Sequence, residues 1–221
     1  MDVLLCALVR TLAALTVLTC VAQDAPTEVK IQPKDNGFTL LRNGAPYFIK
    51  GAGGSIKYID ALASAGGNSL RVWSTPSESD LDTAQQKGIS VLVGLNVDKP
   101  RKGFDYTNSQ AVQQQLQKVV QTVRGLKAHP AVLMWALGNE LELNASTPQR
   151  IQVWKALEEL ARAVKAEDPH HPVIAVLAGA GDTKLRELDQ YAPSLDAVGI
   201  NAYGGAPNLP DTITKQGFKR P

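Results

Sequence analysis

Seven side chains suited to holding a polyhydroxylated ligand sit just beyond short apolar runs: Arg71, Trp73, Asn96, Asn139, Glu140, Asn201 and Tyr203. The most telling of them is Glu140. Ala131-Val-Leu-Met-Trp-Ala-Leu137 is apolar without a charge, and Gly138, Asn139 and Glu140 follow at once. A carboxylate directly after a buried run is costly unless it is paired, hydrogen-bonded or facing a cleft. In parallel α/β folds the cleft lies at the carboxyl ends of the strands. Amides and carboxylates bond hydroxyls, and an indole face can cover the apolar face of a sugar ring, which gives Trp73, Asn96 and Asn201 a substrate-binding role. Side chains alternate along a strand, so Arg71 shares a face with Trp73, and Asn201 with Tyr203.

The elements that must position these residues follow from periodicity. Residues 38–51 read as a hairpin about Asn43-Gly44, a type I′ turn signal. Strand and helix then alternate. Counting residues 47–50 as the first strand, further strands are expected over 68–73, 89–97, 131–137, 172–177 and 195–200. Helices are expected over 56–65, 77–87, 109–127, 148–167 and 182–191. That alternation implies parallel strands with right-handed crossovers. It leaves two architectures open, a doubly wound sheet and a (β/α)8 barrel. No glycine-rich dinucleotide fingerprint follows any strand, because Gly51-Ala-Gly-Gly54 lacks the later glycine. Chemistry spread over several strand ends favours the barrel. A full barrel takes roughly 250 residues, and about two repeats are wanting from these 221. The expected fold is therefore α/β: an incomplete (β/α)8 TIM barrel of about six strands and five helices after a β-hairpin. Such an arc has two open edges and an uncovered core, and is expected to be marginally stable and prone to aggregate.

Bulk properties exclude little but agree. Hydrophobic content of 44% and charged content of 20% are ordinary for a globular chain. A net charge of +2, with no Lys/Arg cluster standing out, gives no reason to expect nucleic acid. The three histidines read as loop residues flanking prolines, and no metal-ligand spacing is present, so neither metal nor cofactor is expected. Residues 1–22 read as a signal peptide, 23–35 as a linker and 36–221 as the partial barrel domain. A secreted or periplasmic location follows, with no transmembrane helix in the mature chain and a lipid anchor at Cys20 as the variant. Both cysteines, Cys6 and Cys20, lie in that leader, which leaves the mature chain without a disulfide. Asn144-Ala-Ser146 fits an N-glycosylation sequon.

Three motifs carry a family resemblance: Gly67-Asn-Ser-Leu-Arg-Val-Trp73, His129-Pro-Ala-Val-Leu-Met-Trp-Ala-Leu-Gly-Asn-Glu140 and Val198-Gly-Ile-Asn-Ala-Tyr203. In their order and spacing they resemble the retaining glycoside hydrolases whose two catalytic glutamates end barrel strands four and seven. The likeness is greatest to the catalytic domain of glycoside hydrolase family 2, with some to family 5, and it covers residues 36–221. The resemblance implies that Glu140 is the general acid/base, that Asn139 bonds the sugar 2-hydroxyl, and that Arg71 and Tyr203 orient and polarise the nucleophilic glutamate. It implies an oligo- or polysaccharide substrate with a β linkage, cleaved by double displacement without cofactor. Such chemistry needs two carboxyl groups about 5–5.5 Å apart.

The departure is at the end of the sequence. Nothing acidic follows Asp211, and Gly217-Phe-Lys-Arg-Pro221 resembles the lead into the seventh strand. Glu142, Glu158, Glu159, Glu167 and Glu187 fall in a loop or on helices, the helical ones expected on a solvated face. The nucleophile is thus expected to be missing and the chain to be C-terminally truncated. Two alternatives stand beside the hydrolase: an inactive carbohydrate-binding remnant, and a β-glucanosyltransferase in the full-length form. Trp135, out of phase with Glu140, is expected to pack under a helix, and Trp154, on a helix, to lie in the core or on the surface.

Overall fold

The computed structural model describes residues 26–35, 37–181 and 183–221. The leader and Cys6 and Cys20 lie outside the described residues. So does Asp182, the expected start of the helix that is observed over Lys184–Tyr191.

Two sheets form. Strands β1 (Val29–Lys34), β2 (Gly37–Arg42) and β3 (Ala45–Pro46) make an antiparallel sheet in that order. The Asn43-Gly44 turn has positive φ at both residues, 51° and 76°, as a type I′ turn requires. The expectation of a linker over 23–35 needs correcting, since β1 occupies most of its second half. Only Val29 of β1 is buried, so the strand reads as polar, and Pro33 sits in it without cost because β1 is an edge strand.

The second sheet is parallel, with strands β4 (Gly51–Gly53), β5 (Ser69–Arg71), β6 (Ser90–Leu95), β7 (Val132–Leu137), β8 (Val173–Ala178) and β9 (Ala197–Asn201) hydrogen-bonded in sequential order. Sequential order is the barrel's signature, since a doubly wound sheet would reverse direction at a switch point. The first barrel strand therefore lies at 51–53, not at 47–50. Tyr47 instead turns its hydroxyl to Asn68 O and Ser69 Oγ, 2.8 and 2.9 Å away.

Helices α1 (Ile59–Ser64), α2 (Glu78–Gln86), α3 (Ser109–Leu126), α4 (Thr147–Glu167), α5 (Lys184–Tyr191) and α6 (Leu209–Gln216) follow the strands in turn. Capping boxes at Ser77/Asp80 and Ser146/Gln149 start α2 and α4. The sixth helix was not expected. Its signals are short but present: Pro210 in the first turn and Gly217 at φ 68° after the last.

Period-two alternation sorts the strands' side chains. Val91, Val93, Leu95, Trp135, Leu137, Ala175 and Leu177 face the helices and join the main core. Leu92, Met134, Ala136, Ile174 and Val176 face the concave side, where Val29, Leu40 and Tyr47 close the bottom. The antiparallel sheet is tied there by Val29 N–H to His170 O, and by the Thr27 hydroxyl and the Arg42 guanidinium to Pro130 O. The concave face is therefore filled at the strands' amino ends and accessible at their carboxyl ends. Along the outer edge of β9, Val198 N–H donates to Pro221 O at 2.9 Å.

Polar pins hold the outer layer. Trp135 is fully buried, as expected, and of the two places open to Trp154 it takes the core. The Trp135 indole donates to Asp168 Oδ2 at 2.7 Å, and Asp168 also meets His171 Nδ1 at 2.8 Å. His171 is thus a buried structural residue although it precedes a proline in a loop. Arg150 grips Glu187 with two bonds of 2.6 and 2.7 Å, and Trp154 Nε1 adds a third at 3.1 Å. The expectation of solvated helical glutamates fails for Glu187 and Glu167, whose side chains are only 13% and 14% exposed and ion-paired. A bidentate arginine or a pair of cations offsets the desolvation that would otherwise exclude them.

The Arg150 guanidinium holds the Glu187 carboxyl down at about 2, against the upward push of burial. An unfolded glutamate titrates near 4.3, so this contribution is complete above that pH and lost as pH falls through about 2. Unfolding free energy is expected to decline over this acid window, and Glu187→Gln to flatten the decline. Arg150→Ala leaves the carboxylate buried without its main partner and is expected to cost roughly 3–5 kcal/mol in denaturant titration.

Candidate active site

The seven residues named above all arrive at the carboxyl mouth of the parallel sheet. Four form one hydrogen-bonded cluster. Arg71, ending β5, donates to Asn139 Oδ1 at 2.6 Å and to Asn201 Oδ1 at 3.3 Å. Asn201, ending β9, donates through Nδ2 to Asn139 Oδ1 at 3.2 Å and to Glu140 Oε1 at 2.7 Å. The distances show how strongly the sheet curls. Four strand spacings separate β5 from β9, roughly 19 Å in a flat sheet; here their end residues touch.

Glu140 is held at its backbone as well. Its N–H donates to Val176 O on β8 at 2.7 Å, and the Arg101 guanidinium donates to its carbonyl oxygen. Its φ is 53°, the left-handed region that glutamate rarely adopts. Such a conformation persists only where neighbours impose it. Here the next two residues are both buried: Leu141 packs into the main core, and the Glu142 carboxylate accepts from Ala178 N at 2.8 Å and Lys184 Nζ at 3.1 Å. Glu142 is thus a buried anchor of the loop that carries Glu140.

The remaining candidates line the mouth. Trp73 is 49% exposed, with Arg71 Cζ 5.8 Å from its ring centre. Gly94 permits this: a Cβ there would lie 2.5 Å from both the Trp73 carbonyl carbon and Val72 O. Asn96 is exposed beside Asn139 in a hollow of about 280 Å³. Tyr203, 91% exposed, shares with Glu140 and Asn201 a larger hollow of about 560 Å³. Burial pulls the Arg71 guanidinium below its ordinary value, and Tyr203 and Glu140 oppose that pull. Arginine starts so high that Arg71 remains a cation. Its Nε is buried with no partner among the described residues.

The expectation that no Lys/Arg cluster stands out needs correcting. Lys99, Arg101 and Lys102 crowd one short turn beside Glu140, with Lys99 and Lys102 lining the smaller hollow. The signal was legible as three cations within four residues, close behind a strand end at Asn96. Another hollow, about 450 Å³, lies at the opposite end between β1 and His171 and contains none of the seven residues. No group of three or more His, Cys, Asp or Glu among the described residues could hold a metal ion, and no described helix is long and apolar enough to cross a membrane.

A parallel sheet in sequential order defines a (β/α)-barrel protein, a fold whose sites lie at the carboxyl face, where these polar side chains gather. Residues 80–204 match the family "Glycosyl hydrolases family 2, TIM barrel domain", and the chain belongs to that family. Among solved structures it is similar to a family 2 glycosyl hydrolase from Bacteroides cellulosilyticus (TM-score 0.63, 23% identity, covering 87% of this chain and 26% of that one). It is similar also to a β-D-glucuronidase from Dictyoglomus thermophilum (TM-score 0.64, 21% identity, 88% and 38%). A β-1,4-D-mannanase from Cryptopygus antarcticus shares the fold at lower identity (TM-score 0.60, 13%, 79% and 71%). The chain spans about a quarter of the Bacteroides protein and under two fifths of the Dictyoglomus one.

Gly94→Ala is expected to force the ends of β5 and β6 apart. The expected cost is about 1–3 kcal/mol, read as a lowered denaturation midpoint, together with a changed near-ultraviolet dichroism from a displaced Trp73.

Proposed function

We propose that this chain carries the acid/base half of a retaining glycosidase site acting on β-linked saccharides. The observation that carries the reading is the Arg71–Asn139–Asn201–Glu140 cluster at the carboxyl mouth, with Glu140 placed on the rim of the larger hollow. In this reading Glu140 protonates the departing glycosidic oxygen and later takes a proton from the incoming water. Asn139, fixed through its Oδ1 by two donors, leaves its amide N–H₂ to the sugar 2-hydroxyl. The unpartnered Arg71 Nε, with Tyr203 beside it, is a donor set for orienting a second carboxylate. Trp73, Asn96 and Asn201 contact the sugar rings. A sugar hydroxyl in place of water at the second step would make the same site a β-glucanosyltransferase.

One observation favours a second reading, saccharide binding without turnover. Among the described residues no second carboxylate is hydrogen-bonded into this cluster, and Glu142, the nearest in sequence, is consumed by Ala178 and Lys184. A secreted or periplasmic setting, with or without an anchor at Cys20, suits either reading.

The test is turnover of aryl β-glucosides, β-galactosides and β-mannosides by this chain and by a polypeptide extended through two further barrel strands. Turnover that falls about 10²–10⁴-fold in Glu140→Gln supports the enzyme. Saccharide binding with no turnover by either polypeptide leaves the binding reading in its place.

A further inference from the structure

The two hollows flanking Asn139 and Glu140 differ in charge. The larger is lined by Ala178, Gly179, Asn201, Tyr203, Asn208 and similar uncharged residues, Glu140 being its one ionisable acid. The smaller has Lys99 and Lys102 in its wall, Asp98 as the opposing acid, and the Arg101 guanidinium close behind on the Glu140 carbonyl. Among the described residues neither Lys99 nor Lys102 has an ion-pair partner within 4.0 Å. Leu95 and Val97, at the base of this hollow, are themselves buried in the main core. Trp73 stands at the same wall with half its surface exposed.

We propose that the smaller hollow is a subsite for an anionic sugar residue adjoining the scissile bond, with Lys99 and Lys102 holding its carboxylate or sulfate, Asn96 bonding a hydroxyl and Trp73 covering the ring. The proposal rests on the saccharide reading above and names the substrate class for that site. A neutral sugar asks for donors and acceptors in balance, and two unpaired ammonium groups exceed that need. An anion satisfies both in charge-assisted hydrogen bonds. Burial pushes Lys99 below its ordinary value, Arg101 and Lys102 add to the push, and Glu140 opposes it. A bound anion would relieve that strain on the charged form. The uncharged hollow opposite would then take the neutral ring.

The experiment is calorimetric titration of the whole chain with three β-1,4-linked tetrasaccharides: neutral, glucuronate-containing and sulfated. At low salt an anionic ligand is expected to bind about ten-fold tighter than the neutral one. That advantage should shrink at about 0.5 M salt. It should fall to within about two-fold in Lys99→Met/Lys102→Met and survive in Lys99→Arg/Lys102→Arg. Lys102→Met alone, at an exposed position that folding tolerates, should remove part of it. Preference for the glucuronate or for the sulfated ligand identifies the anion, and either supports the subsite. Equal affinity for all three, or a preference indifferent to both lysines, overturns the subsite and leaves the saccharide reading standing. Binding of none overturns both.

Discussion

Curvature is the constraint on which this protein depends. Arg71, Asn139 and Asn201 belong to strands that are never neighbours in the sheet, for β6 separates β5 from β7 and β8 separates β7 from β9. They meet across the concave face because the sheet bends. Where the strands crowd there is little room for a side chain: a Cβ at Gly94 would lie 2.5 Å from Val72 O, and one at Gly199 would lie 3.1 Å from Val176 Cγ2. Once the bend exists, a single amide, Asn201, reaches both Asn139 and Glu140. No helix contributes a side chain to that cluster; the helices and the buried tryptophans supply the outer layer against which the sheet is pressed.

Glu140 is held from three directions. The backbone of β8 takes its N–H, Arg101 takes its carbonyl, and Asn201 takes one carboxylate oxygen. The following residues, Leu141 and Glu142, are driven into the interior, so the turn cannot relax from its left-handed conformation without exposing a leucine and breaking the Glu142–Lys184 pair. Strain of this kind, on the order of 1 kcal/mol or more, is sustained by the surrounding core. It aims a polar side chain at the cavity while its neighbours serve packing. The electrostatics divide in the same way: the ion pairs of the outer layer are closed on themselves, whereas Lys99 and Lys102 at the mouth have no ion-pair partner among the described residues.

Much of this was legible in the sequence. Strand–helix alternation, the Asn43-Gly44 turn and the apolar run before Glu140 locate the elements to within a few residues, because they reflect local periodicity and turn chemistry. The errors are also local in origin. The β1 strand has one buried residue, so its periodicity is too weak to read. The first barrel strand is only three residues of glycine and alanine, and the neighbouring Tyr47–Lys50 stretch looks more like a strand. Helix α6 spans two turns. The glutamates at 167 and 187 look solvated on a helical wheel, because the arginines and lysine that cover them come from other helices.

The residue types at the strand ends are written in the sequence, but the two-residue period that pairs Trp73 with Arg71 and Tyr203 with Asn201 does not reach them, because β5 ends at Arg71 and β9 at Asn201. The sequence by itself could not determine that Arg71 would bond Asn139 across 68 residues of chain, that Glu140 would adopt a positive φ, or that Lys99 and Lys102 would stand in the wall beside Asn139. Those facts depend on the radius to which the sheet curls and on which loops fold over its mouth. Both are properties of the whole packed core, where many weak contacts act together, and no short stretch of residues contains them.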